Sequence, residues 1–493
     1  MQTGAPNDSD EIWQLDALKV VNMLACREVS PSEVLKSVQQ RIEEVNTTVN
    51  ALPTLCFSRA FEMIASSEAS DKLSKSLLKG LPIVIKDSMP VKGVLTTYGS
   101  RVFKDYVPDF SDATVCKIEA SGGLIYAKSN TPEFEAGANT FNEVFGATRN
   151  PWNTDLSAGG SSGGAAVAVA TGMAWMAQGT DFACSLRNPA GFNGVVGLRP
   201  SIGVVPMGPS KWPFQTLSVA GPIARNVADC GLFLDAMAGS DVVDPFSSLP
   251  SPGVFSIAAQ RPLRPKRVGF SLDMGLGPVD TSVRQIVTEA AHQLASNGVE
   301  VVNDYPDMLG AYQSFRTLRA LQFATIWGHL LPDYRDVLKP DVVWNIEEGL
   351  ALDSKTIIRA ERLRGGIRSN ILKFFEHHDA LILPTSIVPP YPLAQRYVET
   401  CDGVQFDNYL EWMAPSFAVS LTGCPSISVP CGFTTKNLPI GVQIVAPPRM
   451  DKKLLSYAAF AETVLGTRLS RPIDPIAPSF DKDEVLSITA TNP

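Results

Sequence analysis

The run Ser157-Ala-Gly-Gly-Ser-Ser-Gly-Gly164 passes directly into Ala165-Ala-Val-Ala-Val-Ala-Thr-Gly-Met-Ala-Trp-Met176, and its reading decides the fold. Glycines at this density open backbone conformations closed to other residues and allow close approach of a ligand or a second segment. A helix starting there offers unpaired N–H groups at its first turn. The stretch that follows is apolar all round, interrupted only at Thr171 and Gly172. This predicts a helix over 165–176 buried on every face, too short to span a bilayer. Beyond it, Gly179-Thr-Asp-Phe-Ala-Cys-Ser-Leu-Arg-Asn-Pro-Ala190 sets Ser185 after a small-residue turn.

Outward from this centre, strand-like and helical stretches alternate. Leu81–Ile85 and Gly123–Ala127 are short apolar strands, with a helix over Asp112–Ala120 between them. Ile12–Cys26 has helical spacing. Ser30-Pro31-Ser32-Glu33 carries a capping box with proline at the first helical position. Further strands are predicted at Lys266–Ser271, Val299–Val302, Ala380–Pro384 and Ser426–Pro430, and 310–380 reads as mostly helical. Leu249–Pro252 and Pro384–Pro392 read as proline-rich loops. The β/α alternation implies an α/β fold, a sheet with helices on both faces. No repeat or low-complexity linker divides residues 1–493, so a single domain is expected. Its central core is 80–200, and 240–400 is a variable, mostly helical region that shapes the substrate site.

Composition bounds the function. Over 493 residues, 45% are hydrophobic and 19% charged, the balance of a globular enzyme. A formal net charge of −8 with no Lys/Arg cluster argues against nucleic acid as a partner. The eight cysteines are scattered, without Cys-x-x-Cys or a Cys/His cluster, which argues against structural zinc and against a disulfide scaffold. With a polar, acidic start (MQTGAPNDSDEIW) and no membrane span, the expectation is a cytoplasmic protein.

A serine needs a base before it becomes a nucleophile. The four histidines (His292, His329, His377 and His378) sit in contexts that suit surface or packing roles. Lys86 ends the apolar strand Leu81–Ile85, where a solvated lysine is unexpected. It fits a base with a depressed pKa, and equally a strand-end lysine reaching solvent or pairing with Asp87.

The motifs taken together resemble the amidase signature family. They are Gly80-Leu-Pro-Ile-Val-Ile-Lys86-Asp, Ala127-Lys-Ser-Asn-Thr-Pro-Glu-Phe134, Gly146-Ala-Thr-Arg-Asn-Pro-Trp152, Gly159-Gly-Ser-Ser-Gly-Gly164, and Gly179-Thr-Asp-x-x-x-Ser185-x-Arg187-x-Pro189-Ala190. Leu421–Pro430 with Leu438–Val445 continues the likeness. The resemblance implies a large mixed, twisted sheet sandwiched between helices. By position it implies a Ser–cis-Ser–Lys triad of Ser185 (nucleophile), Ser161 (bridging serine in a cis peptide) and Lys86 (base). It also implies an oxyanion hole from the backbone N–H groups of Phe182, Ala183, Cys184 and Ser185. No metal or organic cofactor enters this scheme, and the resemblance alone suggests a homodimer.

The family carries two glycines before the nucleophile; here they are Ala183 and Cys184, whose added Cβ atoms are expected to reshape the substrate site. Gly159-x-Ser161-x-Gly163 also satisfies the nucleophile-elbow pattern, but the polar turn Asn150–Asp155 before it is no hydrophobic strand. The favoured function is a hydrolase cleaving small, aryl or linear amides, with carbamate (urethane) and ester bonds as related targets. The alternatives are the glutaminase-type subunit of a tRNA-dependent amidotransferase and a non-catalytic binding member of the family. Phe182, Cys184, Trp212, Phe214 and Trp327 are candidate pocket residues. Phe323, Trp327, Tyr334 and Trp344 serve equally as helix core.

Overall fold

A computed structural model describes residues 11–68, 72–248 and 253–477. The expected loop at Leu249–Pro252 and most of the polar N-terminal stretch lie outside these residues.

Among the described residues, eleven strands form one mixed sheet flanked by helices. In spatial order they are Thr54–Leu55, Leu124–Ser129, Pro82–Lys86, Met176–Asp181, Val219–Ala224, Val196–Arg199, Ser426–Phe433, Pro439–Val445, Ala380–Pro384, Arg267–Phe270 and Glu300–Asn303. Pro82–Lys86 is parallel to both its neighbours. A second parallel group, formed by Ala380–Pro384, Arg267–Phe270 and Glu300–Asn303, lies at the far edge. The pairings between these groups are antiparallel.

Local chemistry explains the element boundaries. Ser30 caps the helix Pro31–Val49: its Oγ accepts from the Glu33 N–H at 3.2 Å, and Glu33 Oε2 accepts from the Ser30 N–H at 2.7 Å. Asp112 caps Ala113–Ala120 by accepting from the Thr114 N–H at 2.8 Å. The strands Pro82–Lys86, Leu124–Ser129 and Met176–Asp181 are buried at every residue. Ile83–Ile85 and Leu124–Ala127 therefore read as continuous rather than alternating apolar runs, while Met176–Asp181 carries buried polar residues at Gln178, Thr180 and Asp181.

The apolar stretch after the glycine run departs from expectation. Its helix is Gly163–Ala170 alone, and Met176–Asp181 is a strand. Thr171 closes the helix, and Gly172, at φ +80°, turns the chain out of it. An apolar run buried on all sides carries no periodicity to mark where helix yields to strand. The helix packs against Pro82–Lys86, Leu124–Ser129, Met176–Asp181 and Val219–Ala224. Such contact is close enough that a Cβ on Gly164 would lie 2.5 Å from the Asn130 backbone nitrogen. No helix among the described residues is long and apolar enough to cross a membrane.

Candidate active site

Two parallel strands end side by side, one with Lys86 and the other with Asp181. The carboxyl edge of parallel strands is where open α/β sheets leave room for a ligand. The glycine run reaches this edge from the other side, with Gly159 at φ +71° and a cis peptide bond between Gly160 and Ser161.

Lys86 is fully buried. Its Nζ lies 2.7 Å from Ser161 Oγ, 2.8 Å from Thr180 Oγ1 and 2.6 Å from Glu135 Oε1. Burial pushes the lysine pKa below its ordinary value, and the carboxylates of Glu135 and Asp181 oppose only part of that fall. Ser161 and Ser185 line one cavity of about 110 Å³ together with Glu135, Thr180, Phe182 and Arg319. Ser185 Oγ makes no hydrogen bond to the described residues; the link between the two segments is a backbone bond from the Ser162 N–H to the Ser185 carbonyl, 3.2 Å. The same holds for the backbone N–H groups of Phe182, Ala183, Cys184 and Ser185, none of which has an acceptor among the described residues. Four such donors in succession around a serine suit an oxyanion.

The turn carrying Ser185 is moored from below. Arg187 grips Asp181 with two bonds of 3.0 Å, and Arg199 adds a third contact at 3.2 Å. Arg187 also donates to the carbonyls of Ala183 and Ser416 and to the Oγ of Ser420. Burial alone would raise the Asp181 pKa, but the two guanidinium groups hold it below the usual carboxylate range. The Leu186 N–H completes the set by donating to Asp181 at 3.1 Å.

The candidate pocket residues divide. Phe182 and Trp327 line the Ser185 cavity. Trp212 lines a larger adjoining cavity of about 370 Å³, which shares Glu135, Thr180, Tyr98 and Trp327 with the first. Cys184 is corrected: its Sγ lies 3.5 Å from Met413 Sδ in the core, away from both cavities. Burial pushes its thiol up to about 12, so it is no rival nucleophile. Ala183 is absent from both cavity walls as well, so this pair does not crowd the pocket. Phe214 is corrected too: it is 69% exposed and meets only the edge of Phe246, because the 209–216 loop turns Trp212 rather than Phe214 inward.

Of the helical aromatics, Phe323 and Trp327 both line the cavity and pack in a side core with Phe134. Tyr334 is exposed, and Trp344 lies under Arg316. His292, His329 and His377 are exposed, and buried His378 stacks on Phe374.

Two residues escaped the sequence reading. Glu135 stands one residue past the Ala127–Phe134 motif. Arg319, only 4% exposed, sits on the helix Ala311–Trp327 in the opposite cavity wall. Its guanidinium lies against Phe182, Phe323 and Tyr409, and its Nε donates to the Tyr409 hydroxyl at 2.7 Å. No carboxylate among the described residues pairs with it.

Comparison with known proteins follows the same lines. The sequence model of one family, Amidase, matches residues 33–455. An acylamidase of Rhodococcus erythropolis is 32% identical over 93% of this chain and 97% of that protein. One of the glutamyl-tRNA(Gln) amidotransferase subunits of Halothermothrix orenii is 31% identical over 94% and 99%. Among solved structures, a bacterial aryl acylamidase of the amidase signature enzymes superposes with a TM-score of 0.85 at 25% identity, covering 97% of this chain and 99% of that one. A 6-aminohexanoate cyclic dimer hydrolase in complex with substrate gives 0.82 at 27% identity, covering 92% and 98%.

Proposed function

The chain belongs to the amidase family, and from that premise we propose that it hydrolyses amides through an acyl-enzyme formed on Ser185. It is an amidase-signature hydrolase acting on amide C–N bonds; the proposal concerns how it does so and on what. The observation that carries the mechanism is the 2.7 Å contact of buried Lys86 Nζ with Ser161 Oγ, beside the cavity that Ser161 and Ser185 line together.

In the proposed sequence, the neutral amine of Lys86 accepts the Ser161 hydroxyl proton while Ser161 Oγ accepts the proton of Ser185. Ser185 Oγ then attacks the substrate carbonyl. The N–H groups of 182–185 hold the resulting oxyanion, each donor worth roughly 3–4 kcal/mol in the transition state. The relay returns the proton to the leaving amine, and water hydrolyses the acyl-enzyme by the same path in reverse. Ser185 Oγ has no hydrogen-bond partner among the described residues, which fits a catalytic hydrogen bond that tightens only in the substrate complex.

Tyr98, Phe103, Tyr106, Trp212 and Trp327 line the adjoining cavity. An aromatic wall of this kind favours an aryl or extended apolar group on one side of the scissile bond. Anilides and aryl carbamates are therefore the proposed substrates, with esters as further targets. The acylamidase and aryl acylamidase likenesses support the same side. A glutaminase-type role within an amidotransferase remains the rival, on the strength of the 31% identical relative. A panel of chromogenic anilides, carbamates and esters, run beside free glutamine, decides between them. Mass spectrometry of the residue labelled by a fluorophosphonate tests Ser185. Turnover of glutamine alone would overturn the aryl assignment, and a label on any other residue would overturn the nucleophile.

A further inference from the structure

The carboxylate of Glu135 is placed to govern the relay. Its Oε1 lies 2.6 Å from Lys86 Nζ, accepts from Ser88 Oγ at 2.9 Å and accepts from Thr180 Oγ1. Thr180 in turn contacts Lys86 Nζ at 2.8 Å. Phe134 and Glu135 adopt left-handed backbone conformations in succession, at φ 45° and 60°. Residues other than glycine hold such angles only where their surroundings impose them, most often at functional sites.

The three oxygens around Lys86 match its two protonation states differently. An ammonium has three donors and no acceptor, and Ser161, Thr180 and Glu135 satisfy all three. A neutral amine keeps two donors, for Thr180 and Glu135, and turns its lone pair to Ser161. Only the second state can take the Ser161 proton.

The other carboxylates nearby are already matched, the Cys184 thiol is buried and neutral, and Arg319 faces Glu135 across the Ser185 cavity without a carboxylate of its own among the described residues. Asp181 is held by Arg187 and Arg199. Asp87 accepts from Thr97 and lies 3.9 Å from Lys128. Glu135, with 31% of its side chain exposed where the two cavities meet, is the carboxylate left for Lys86.

We propose that Glu135 is a positioning residue that holds Lys86 as an ammonium in the resting enzyme and so sets the pH above which the relay is armed. The inference rests on the Lys86 relay proposed above. The sign follows directly. Activity needs the neutral amine and rises as pH passes the lysine pKa. A carboxylate at 2.6 Å raises that pKa; removing its charge moves the acidic limb to lower pH. Burial of Glu135 favours its protonation, but Lys86 and the Thr180 and Ser88 hydroxyls more than offset this and hold its carboxyl below the usual carboxylate range.

The test is the pH profile of kcat/KM on an anilide, together with the pH dependence of Ser185 labelling by a fluorophosphonate. In Glu135→Gln the acidic limb of both is expected to move down by roughly 1–3 pH units, while Glu135→Asp keeps the limb near that of the wild type. Glu135→Met, an apolar chain of similar length, gives the same readout if the amide variant fails to fold. Lys86→Ala separates the two levels of the argument. If Lys86→Ala is inactive and neither charge-removing variant shifts the limb, the Glu135 role is overturned and the relay stands. If Lys86→Ala is fully active, both fall.

Discussion

The two walls of the active-site cavity are built on opposite plans. One wall, formed by the Lys86 strand, the glycine run and the Ser185 turn, is buried nearly throughout, and apart from Ser185 Oγ and the N–H groups of 182–185 its polar atoms answer one another at hydrogen-bond distance. The other, the helix Ala311–Trp327 facing the 98–106 segment, is held by aromatic edges and faces, with Arg319 as its only cation in the Ser185 cavity. In the first wall, displacing one atom leaves another polar group buried and unpaired, which costs the full desolvation penalty. In the second, a side chain can be exchanged for another apolar one at modest cost. The contrast assigns chemistry to one wall and substrate choice to the other.

Substitutions in the two walls should therefore fail in different ways. The largest effect is expected from Lys86→Ala, Ser161→Ala or Ser185→Ala. Each should lower kcat by about 10³-fold or more; thermal melting should stay close to wild type for Ser185→Ala, whose Oγ bonds to none of the described residues, and fall for Lys86→Ala, which leaves Glu135 without its cation. Full activity of Lys86→Ala at neutral pH would erase the distinction between the walls. Next comes Arg187→Ala, which leaves buried Asp181 to Arg199 and the Leu186 N–H and should cost about 3 kcal/mol of stability, read from denaturant unfolding. An unchanged midpoint would mean that the mooring under Ser185 is not structural.

On the opposite wall, Trp327→Ala should lower kcat/KM for anilides relative to small aliphatic amides by roughly 10–200-fold; equal losses on both would place Trp327 in packing alone. The smallest kinetic change is expected from Ala183→Gly with Cys184→Gly. Neither side chain lines the Ser185 cavity or the one adjoining it, so the double variant acts mainly through backbone freedom and should alter the ratio of anilide to carbamate turnover by about tenfold or less. A larger change would show that the turn, rather than the aromatic wall, selects the substrate.

The same contrast explains what the sequence made legible. Lys86, Ser161 and Ser185 lie in short motifs whose composition is unusual for simple packing, and the likeness to a family fixed their roles as expectations. An apolar helix after the glycine run was foreseen, but the strand at Met176–Asp181 was hidden at the end of the same run. Burial on all faces removes the periodicity that separates the two. Glu135 left one signal, an acidic residue inserted in a run of small and apolar ones immediately after a motif. Arg319 left none, since a helix with two arginines, Arg316 and Arg319, and no acidic residue does not reveal which of them finds a carboxylate on another element. The corrections at Phe214 and Cys184 differ in origin, one an aromatic in a loop and the other a neighbour of Ser185, but in neither case does the sequence say which way the side chain turns.

Consider, finally, the helix Gly163–Ala170, buried at every position and in contact with four strands. For protein engineering it is the least permissive part of the chain. Nearly any enlargement there meets a backbone or a packed side chain, as the 2.5 Å approach at Gly164 illustrates. A library randomised across it would consist almost wholly of unfolded chains. New substrate ranges are to be sought instead at Gln322, Ile326 and Trp212, which line a cavity and leave this helix untouched. The fold thus keeps the positions that can vary apart from those that cannot, and Ser161, two residues before this helix, stands beside the second group.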